Sequence, residues 1–286
     1  MDLSFPAAPP SVVHRVWDPL PFVLVHVALL GVLWSGVTAG SVALFAALYL
    51  VRMWGLTGAH HRYFAHRTFK TSRAFQFVLA LVAQSSVQRG VLWWAAHHRV
   101  HHKHADEVGD VHSPVRRGFW YSHFGWIFDG NDATRWDKVQ DFARYPELVW
   151  LDRHWLVVPV ALATACLALG GLPGLFVGFF ASTVAVWHAT FLVNSLAHVA
   201  GRRRFPTPDH SRNNWLIALV TLGEGWHNNH HHYQSSARNG FYWWEVDVTW
   251  YVLRALAAVG LIWDLRQPPA HMLAEGLRLD AARRGS

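Results

Sequence analysis

Residues 37–66 read VTAGSVALFAALYLVRMWGLTGAHHRYFAH, and the change of character inside this stretch decides the fold. From Val37 to Trp54 it is an apolar run broken by one charge, Arg52, and it approaches the roughly 20 residues that cross a bilayer. It then passes through Gly55 and Gly58 into His61 and His66. A helix of membrane length that runs into histidines places candidate metal ligands at a membrane face. Three more apolar runs lie around it: Pro19 to Ser35, Trp155 to Leu169 and Leu172 to Val193. The four runs form two pairs, each joined by a glycine-containing tip, Ser35-Gly36 and Gly170-Gly171. Trp17, Trp34, Trp54, Trp155 and Trp187 fall near the ends, as interfacial aromatic anchors do.

Charge orients these spans. Of the 25 Lys and Arg, Arg15 precedes the first pair, 14 lie between Arg52 and Arg153, and ten lie between Arg202 and Arg284. Neither tip carries any, so the positive-inside rule places both termini and both long polar regions in the cytoplasm. A soluble helical bundle would not need basic loops so one-sided. Arg52, near the cytoplasmic end of its helix, is expected to snorkel. The expected architecture is an all-α integral membrane protein and a single domain over residues 1–286. Four transmembrane helices (19–35, 37–54, 155–169 and 172–193) carry a cytoplasmic helical cap from residues 55–154 and 194–265, with a poorly ordered tail over 266–286. Within the cap, 74–94 reads as one core or interfacial helix, and 241–263, rich in Trp, as a segment at the headgroup surface or packed on the cap.

Composition agrees with lipid as solvent. The 286 residues are 52% hydrophobic and only 15% charged, and the balance of +7 suits an anionic membrane surface better than nucleic acid, given the apolar runs. Arg and Ala dominate over Lys, as a GC-rich bacterial genome gives, so the expected location is a bacterial inner membrane. Cys166, the sole cysteine, excludes an internal disulfide, a cysteine-bound iron–sulfur cluster and a structural Cys-zinc site. The start MDLSFPAAPP has no charged region followed by an apolar one, so no cleavable signal is expected.

The outlier is histidine, with 21 copies. Three boxes stand out: His61-Arg-Tyr-Phe-Ala-His66, His98-Arg-Val-His101-His102 and His227-Asn-Asn-His230-His231. In the second and third, the i, i+3, i+4 spacing puts three imidazoles on one helical face. The i, i+5 spacing of the first needs a helix end or a kink, which Gly55 and Gly58 permit. Asn194 and His198 follow the last span one turn apart. The boxes and His198 make nine His, more than one metal uses and suited to two; imidazole serves iron, zinc or copper. His14, His26, His123, His154 and His271 read as structural. His60, His97, His104 and His232 adjoin the boxes and read as supporting or surface residues. Only Glu224-Gly-Trp-His227 fits the Glu-x-x-His pattern of a soluble carboxylate di-iron bundle, and H-E-x-x-H, G-x-S-x-G and nucleotide-binding loops are missing. Redox chemistry at a histidine-bound metal pair is favoured over hydrolysis.

The chain resembles the membrane fatty acyl desaturase family, in particular its stearoyl-CoA (delta-9) branch. The resemblance is carried by Thr57-Gly-Ala-His-His-Arg-Tyr-Phe-Ala-His-Arg-Thr-Phe-Lys70, Asp110-Val-His-Ser, Arg116-Arg-Gly-Phe-Trp-Tyr-Ser-His-Phe-Gly-Trp126, Ala189-Thr-Phe-Leu-Val-Asn-Ser-Leu-Ala-His198 and Gly223-Glu-Gly-Trp-His-Asn-Asn-His-His231. It implies a di-iron (Fe2+) centre held by His61, His66, His98, His101, His102, His198, His227, His230 and His231, with Asn194 reaching a metal through water. It implies a bent acyl tunnel near Trp94, Thr190 and Phe191, no catalytic residue beyond the ligands, and O2-dependent formation of a cis double bond. Electrons would come from a separate carrier of cytochrome b5 or ferredoxin type. Ala96-His97 stands where animal members carry Arg-Asp near the CoA head, Ile127-Phe-Asp-Gly-Asn-Asp132 replaces a basic stretch, and Phe191 replaces a Trp. The expected handle is CoA, with a delta-9 outcome; these departures keep membrane lipid and a carrier protein open as alternatives. Rival readings are a di-iron fatty acid or alkane hydroxylase and a non-enzymatic metal-binding membrane protein.

Overall fold

The structure, a computed structural model, describes residues 19–130 and 133–284. Trp17, His14, Arg15 and Asp132, named above, lie outside them. The described residues are mainly helical, with one two-stranded antiparallel ribbon pairing Lys70–Thr71 with Ile262–Trp263.

The apolar runs become the long helices. Leu20–Ser35 is a short apolar helix that ends where Gly36 turns with φ of 70°. Thr38 and Ser41 then form a reciprocal capping box that starts Ala39–Trp54. Ala39–Ala65 is 27 residues long and apolar enough to cross a membrane. Val157–His198 also qualifies, at 42 residues. A straight helix of that length would reach about 63 Å, twice a bilayer core. It is not straight: Gly171 has φ 60° and ψ −155°, and a side chain on Gly174 would lie 2.3 Å from the Cys166 carbonyl oxygen. The chain therefore folds back there as a hairpin. Leu24, Val27, Leu33, Val42, Leu50, Val160 and Leu169 are exposed along these helices, an apolar belt of the kind water does not tolerate.

Three expectations are corrected. Residues 74–94 are two helices, Arg73–Gln84 and Val91–His104, because Val87 and Arg89 adopt positive φ in the turn between them. Arg52 does not snorkel. It is fully buried and donates to the Ser85 carbonyl (2.7 Å), Ser182 Oγ (2.8 Å) and Thr183 Oγ1 (2.6 Å), so hydrogen bonds inside the protein replace water. The tail is not irregular: Ala270–Arg284 is a helix, docked by Tyr242 Oη on the Leu273 carbonyl and by Arg204 on Asp280. The Trp-rich 241–263 stretch divides its residues, with Trp250 and Leu253 buried and Trp243 and Tyr251 exposed.

Candidate metal centre

Each histidine box is shaped by a different local device. Gly55–Ala65 is a π-helix, and the His66 amide donates to the His61 carbonyl at 3.1 Å. A turn closed from i to i+5 stacks residues five apart, so His61 and His66 face one way despite a spacing no α-helix serves. Gly55 makes room: a side chain there would meet the Val82 carbonyl oxygen at 2.6 Å. The helix Val91–His104 is started by Asp152, whose Oδ1 accepts from the Leu92 and Trp93 amides at 2.9 Å each. In His227–His232 the two residues between the histidines are anchors. Asn228 brackets Phe205, accepting from its amide and donating to its carbonyl, while Asn229 joins Asn213, Arg204, Asn239 and Glu245.

These devices gather all nine candidate imidazoles. One nitrogen from each of His61, His66, His98, His102 and His230 lies within 4.8 Å of the others, and His101, His198, His227 and His231 make a second such group. The groups adjoin, with the rings of His102 and His231 centred 4.4 Å apart. In the first group the contacts are Nε2 to Nε2: His61 to His230 (3.0 Å), His66 to His98 (2.9 Å), His98 to His102 (2.9 Å) and His102 to His230 (3.0 Å). A pair of nitrogens shares one proton at most, and His98, His102 and His230 each face two partners with the same atom. Neutral imidazoles cannot satisfy such a series of contacts by hydrogen bonding, whereas a cation among the five converging nitrogens does. The donor set therefore fits a metal in each group.

Four carboxylates orient the rings. Glu224 lies 2.6 Å from His61 Nδ1, Asp110 2.8 Å from His101 Nδ1, Asp106 2.9 Å from His198 Nδ1, and Asp209 2.9 Å from His231 Nδ1. Each holds the proton on Nδ1 and leaves the Nε2 lone pair facing inward. Burial, and next the neighbouring imidazoles, hold His66, His98, His102, His227 and His230 well below the usual histidine range. Burial also brings His231 to about 4, against the pull of Asp209. His101 goes the other way: burial pulls it down, but Asp110, with Asp106 and Asp209 behind it, together prevail. Burial pushes Asp106, Asp110 and Asp209 up, yet their histidine and amide partners prevail and hold them below the ordinary carboxylate range.

A cavity ends at this centre. Trp94, Thr190 and Phe191 line it together, as does Asn194, which belongs to neither imidazole group. Gln88 links two of these walls, donating to Thr190 Oγ1 and accepting from Trp94 Nε1, both at 3.2 Å. Of the box neighbours, His97 is buried on Trp93 and lines the cavity, His60 is buried against Trp94, and His232 stacks on Phe205. Sequence reading missed the four carboxylates and His112, which groups with His101 and Asp110 and also lines the cavity. Glu224 was noted as half of a different motif, and Glu224, Asp110 and His112 stood inside stretches quoted for the family resemblance without a role; Asp106 and Asp209 were not marked at all.

A family model described as "Fatty acid desaturase" matches residues 17–269. The chain belongs to the fatty acid desaturase family. Among its desaturase relatives, a palmitoyl-monogalactosyldiacylglycerol delta-7 desaturase of Arabidopsis thaliana is 38% identical over 80% of this chain and 62% of its own length, so this chain spans under two thirds of it. An sn-2 palmitoyl-lipid 9-desaturase of Nostoc sp. is 37% identical over 78% of this chain and 80% of its own. An acyl-CoA C20 Delta5-desaturase of Anemone leveillei is 38% identical over 78% of this chain and 73% of its own. The named desaturases thus include both lipid-linked and CoA-linked substrates.

Proposed function

We propose that this desaturase-family chain is an oxidoreductase that inserts a cis double bond into a saturated fatty acyl chain, using O2, two electrons and an iron pair. The carrying observation is the union of two imidazole groups with a cavity whose walls include Trp94, Thr190 and Phe191. The ligands would be the nine histidines, with Asn194 acting through water. Two bound irons would supply the oxidising power needed to take one hydrogen from each of two adjacent methylenes. Overall, the saturated chain, O2, two electrons and two protons give the alkene and two waters.

The protein's part is placement. Glu224, Asp106, Asp110 and Asp209 fix the tautomers of their histidines, and the cavity walls present one carbon pair to the centre while keeping water away. The apolar belt supports four spans in two hairpins, and the one-sided Lys and Arg support placing the cap and both termini in the cytoplasm. Pro21, Phe22 and Trp155, at the ends of the apolar helices, also line the cavity. A chain tethered to a membrane lipid would reach them without leaving the bilayer, so we take acyl-lipid as the first substrate to test and acyl-CoA, delta-9 type, as the second. His66 and His102 border a separate opening beside Arg99 and Lys103. This basic rim suits an acidic electron carrier of ferredoxin or cytochrome b5 type.

Gas chromatography with mass spectrometry of lipids from cells making the protein tests the reading. New acyl chains short of two hydrogens support it. Chains carrying one added oxygen would establish a hydroxylase instead.

A further inference from the structure

A second set of histidines lies apart from the metal centre. His26 sits in Leu20–Ala28, His188 in Ser182–Asn194, and His123 closes the cap helix Phe119–His123. Their rings form one hydrogen-bonded line. His26 Nδ1 lies 2.8 Å from the Phe22 carbonyl oxygen, and its Nε2 lies 3.0 Å from His188 Nε2. His188 Nδ1 lies 3.0 Å from His123 Nε2, and His123 Nδ1 lies 3.0 Å from Ser195 Oγ. Ser195 Oγ in turn lies 2.7 Å from the Phe191 carbonyl oxygen. The contacts to His188 use its two different nitrogens, so the three rings do not converge on one ion.

Both ends of the line are carbonyl oxygens, which only accept. The five contacts need five protons. Three neutral imidazoles carry one each and the serine hydroxyl one, which makes four. In the neutral line, one contact must set acceptor against acceptor. One further proton satisfies every contact at once.

We propose that His26, His188 and His123 form a proton-binding site that holds one excess proton and thereby fastens a wall of the cavity. The three segments it ties are those that bring Phe22, Trp187, Phe191 and the adjoining Trp126 to the cavity. Ring stacking reinforces the tie: Phe22 lies 5.5 Å from Trp187 and His123 lies 5.2 Å from His188, centre to centre. No carboxylate among the described residues hydrogen-bonds these imidazoles. On the cap side, Arg117, Tyr121 and Asp129 bond to one another. Aromatic rings of Phe22, Trp187, Phe119, Trp120, Phe124 and Phe191 fill the rest of the surroundings. Burial alone pulls His123 down, so the bond count has to outweigh it. The site makes no use of the metals, and its test stands apart from the desaturase reading.

The test is 15N NMR of the zinc-loaded, full-length protein labelled at histidine, in nanodiscs at pH 8. Solvent-exposed histidines are neutral there. The expected result is one imidazolium, with both ring nitrogens protonated, absent from His188→Phe. It should also be absent from Ser195→Ala, where three neutral rings satisfy the three contacts left. A wild-type spectrum with every imidazole neutral at pH 8 would overturn the proposal. So would an imidazolium that survives in Ser195→Ala, which would show that the bond count does not hold the proton.

Discussion

Asp152 offers a graded test of how the second histidine box is built. Its Oδ1 accepts the Leu92 and Trp93 amides, its Oδ2 accepts from Thr134 Oγ1 at 2.7 Å, and the side chain is buried. Hydrogen bonds to a charged acceptor contribute about 1.5–3 kcal/mol each, and loss of an N-cap costs roughly 0.5–2 kcal/mol. Burial, however, holds the Asp152 carboxyl above its ordinary range, which offsets part of the gain from its charge. Asp152→Ala strands two buried amides, and the expected loss is about 3 kcal/mol. Asp152→Asn keeps the oxygen that caps the helix and discards the costly charge, so it should fall within about 1 kcal/mol of the parent. Gly90→Ala probes the same contact from the other side, since its new methyl would lie 2.0 Å from Asp152 Oδ1. Unfolding in detergent, followed by tryptophan fluorescence alongside metal content, reads all three. If the alanine variant is as stable as the asparagine one, the cap does not hold this helix and the reasoning fails.

Acid should destabilise the metal-free protein early. His66, His98, His102, His227 and His230 are held neutral below the ordinary histidine range, so the unfolded chain binds more protons than the folded one as pH drops. Their contribution is full above about 6.5 and is lost as pH falls toward their folded values; for His231 that value is about 4. Melting temperature should therefore drop between pH 7 and 5, and a flat profile would contradict the burial of neutral rings. Thr190→Phe should fill the cavity beside Phe191 while leaving both imidazole groups untouched. Product formation should then fall at least tenfold with metal content unchanged, as measured by gas chromatography and elemental analysis.

Histidine spacing was the legible part of this centre. Imidazole is scarce enough that two i, i+3, i+4 sets, joined to long apolar runs, leave few alternatives. The i, i+5 box was readable as a need for irregular helix, and the π-helix with Gly55 against Val82 meets that need. The supporting carboxylates were not readable: Asp106, Asp209 and Glu224 reach His198, His231 and His61 only through tertiary folding, and Asp110, though near His101 in the chain, stands at no helical spacing from it. Arg52 misled for a similar reason. Local sequence shows a cation near a helix end, while its acceptors Ser182 and Thr183 lie 130 residues away. The terminal helix was missed because its docking partners, Arg204 and Tyr242, are likewise distant in the chain.

The account rests on two irons held by two imidazole groups, and iron counting with Mössbauer spectroscopy tests that directly. The wild-type protein should bind two irons per chain. His230→Ala, from the first group, and His227→Ala, from the second, should each lose one and leave different residual spectra. A wild-type protein that saturates at one iron, or variants that both retain two, would contradict it.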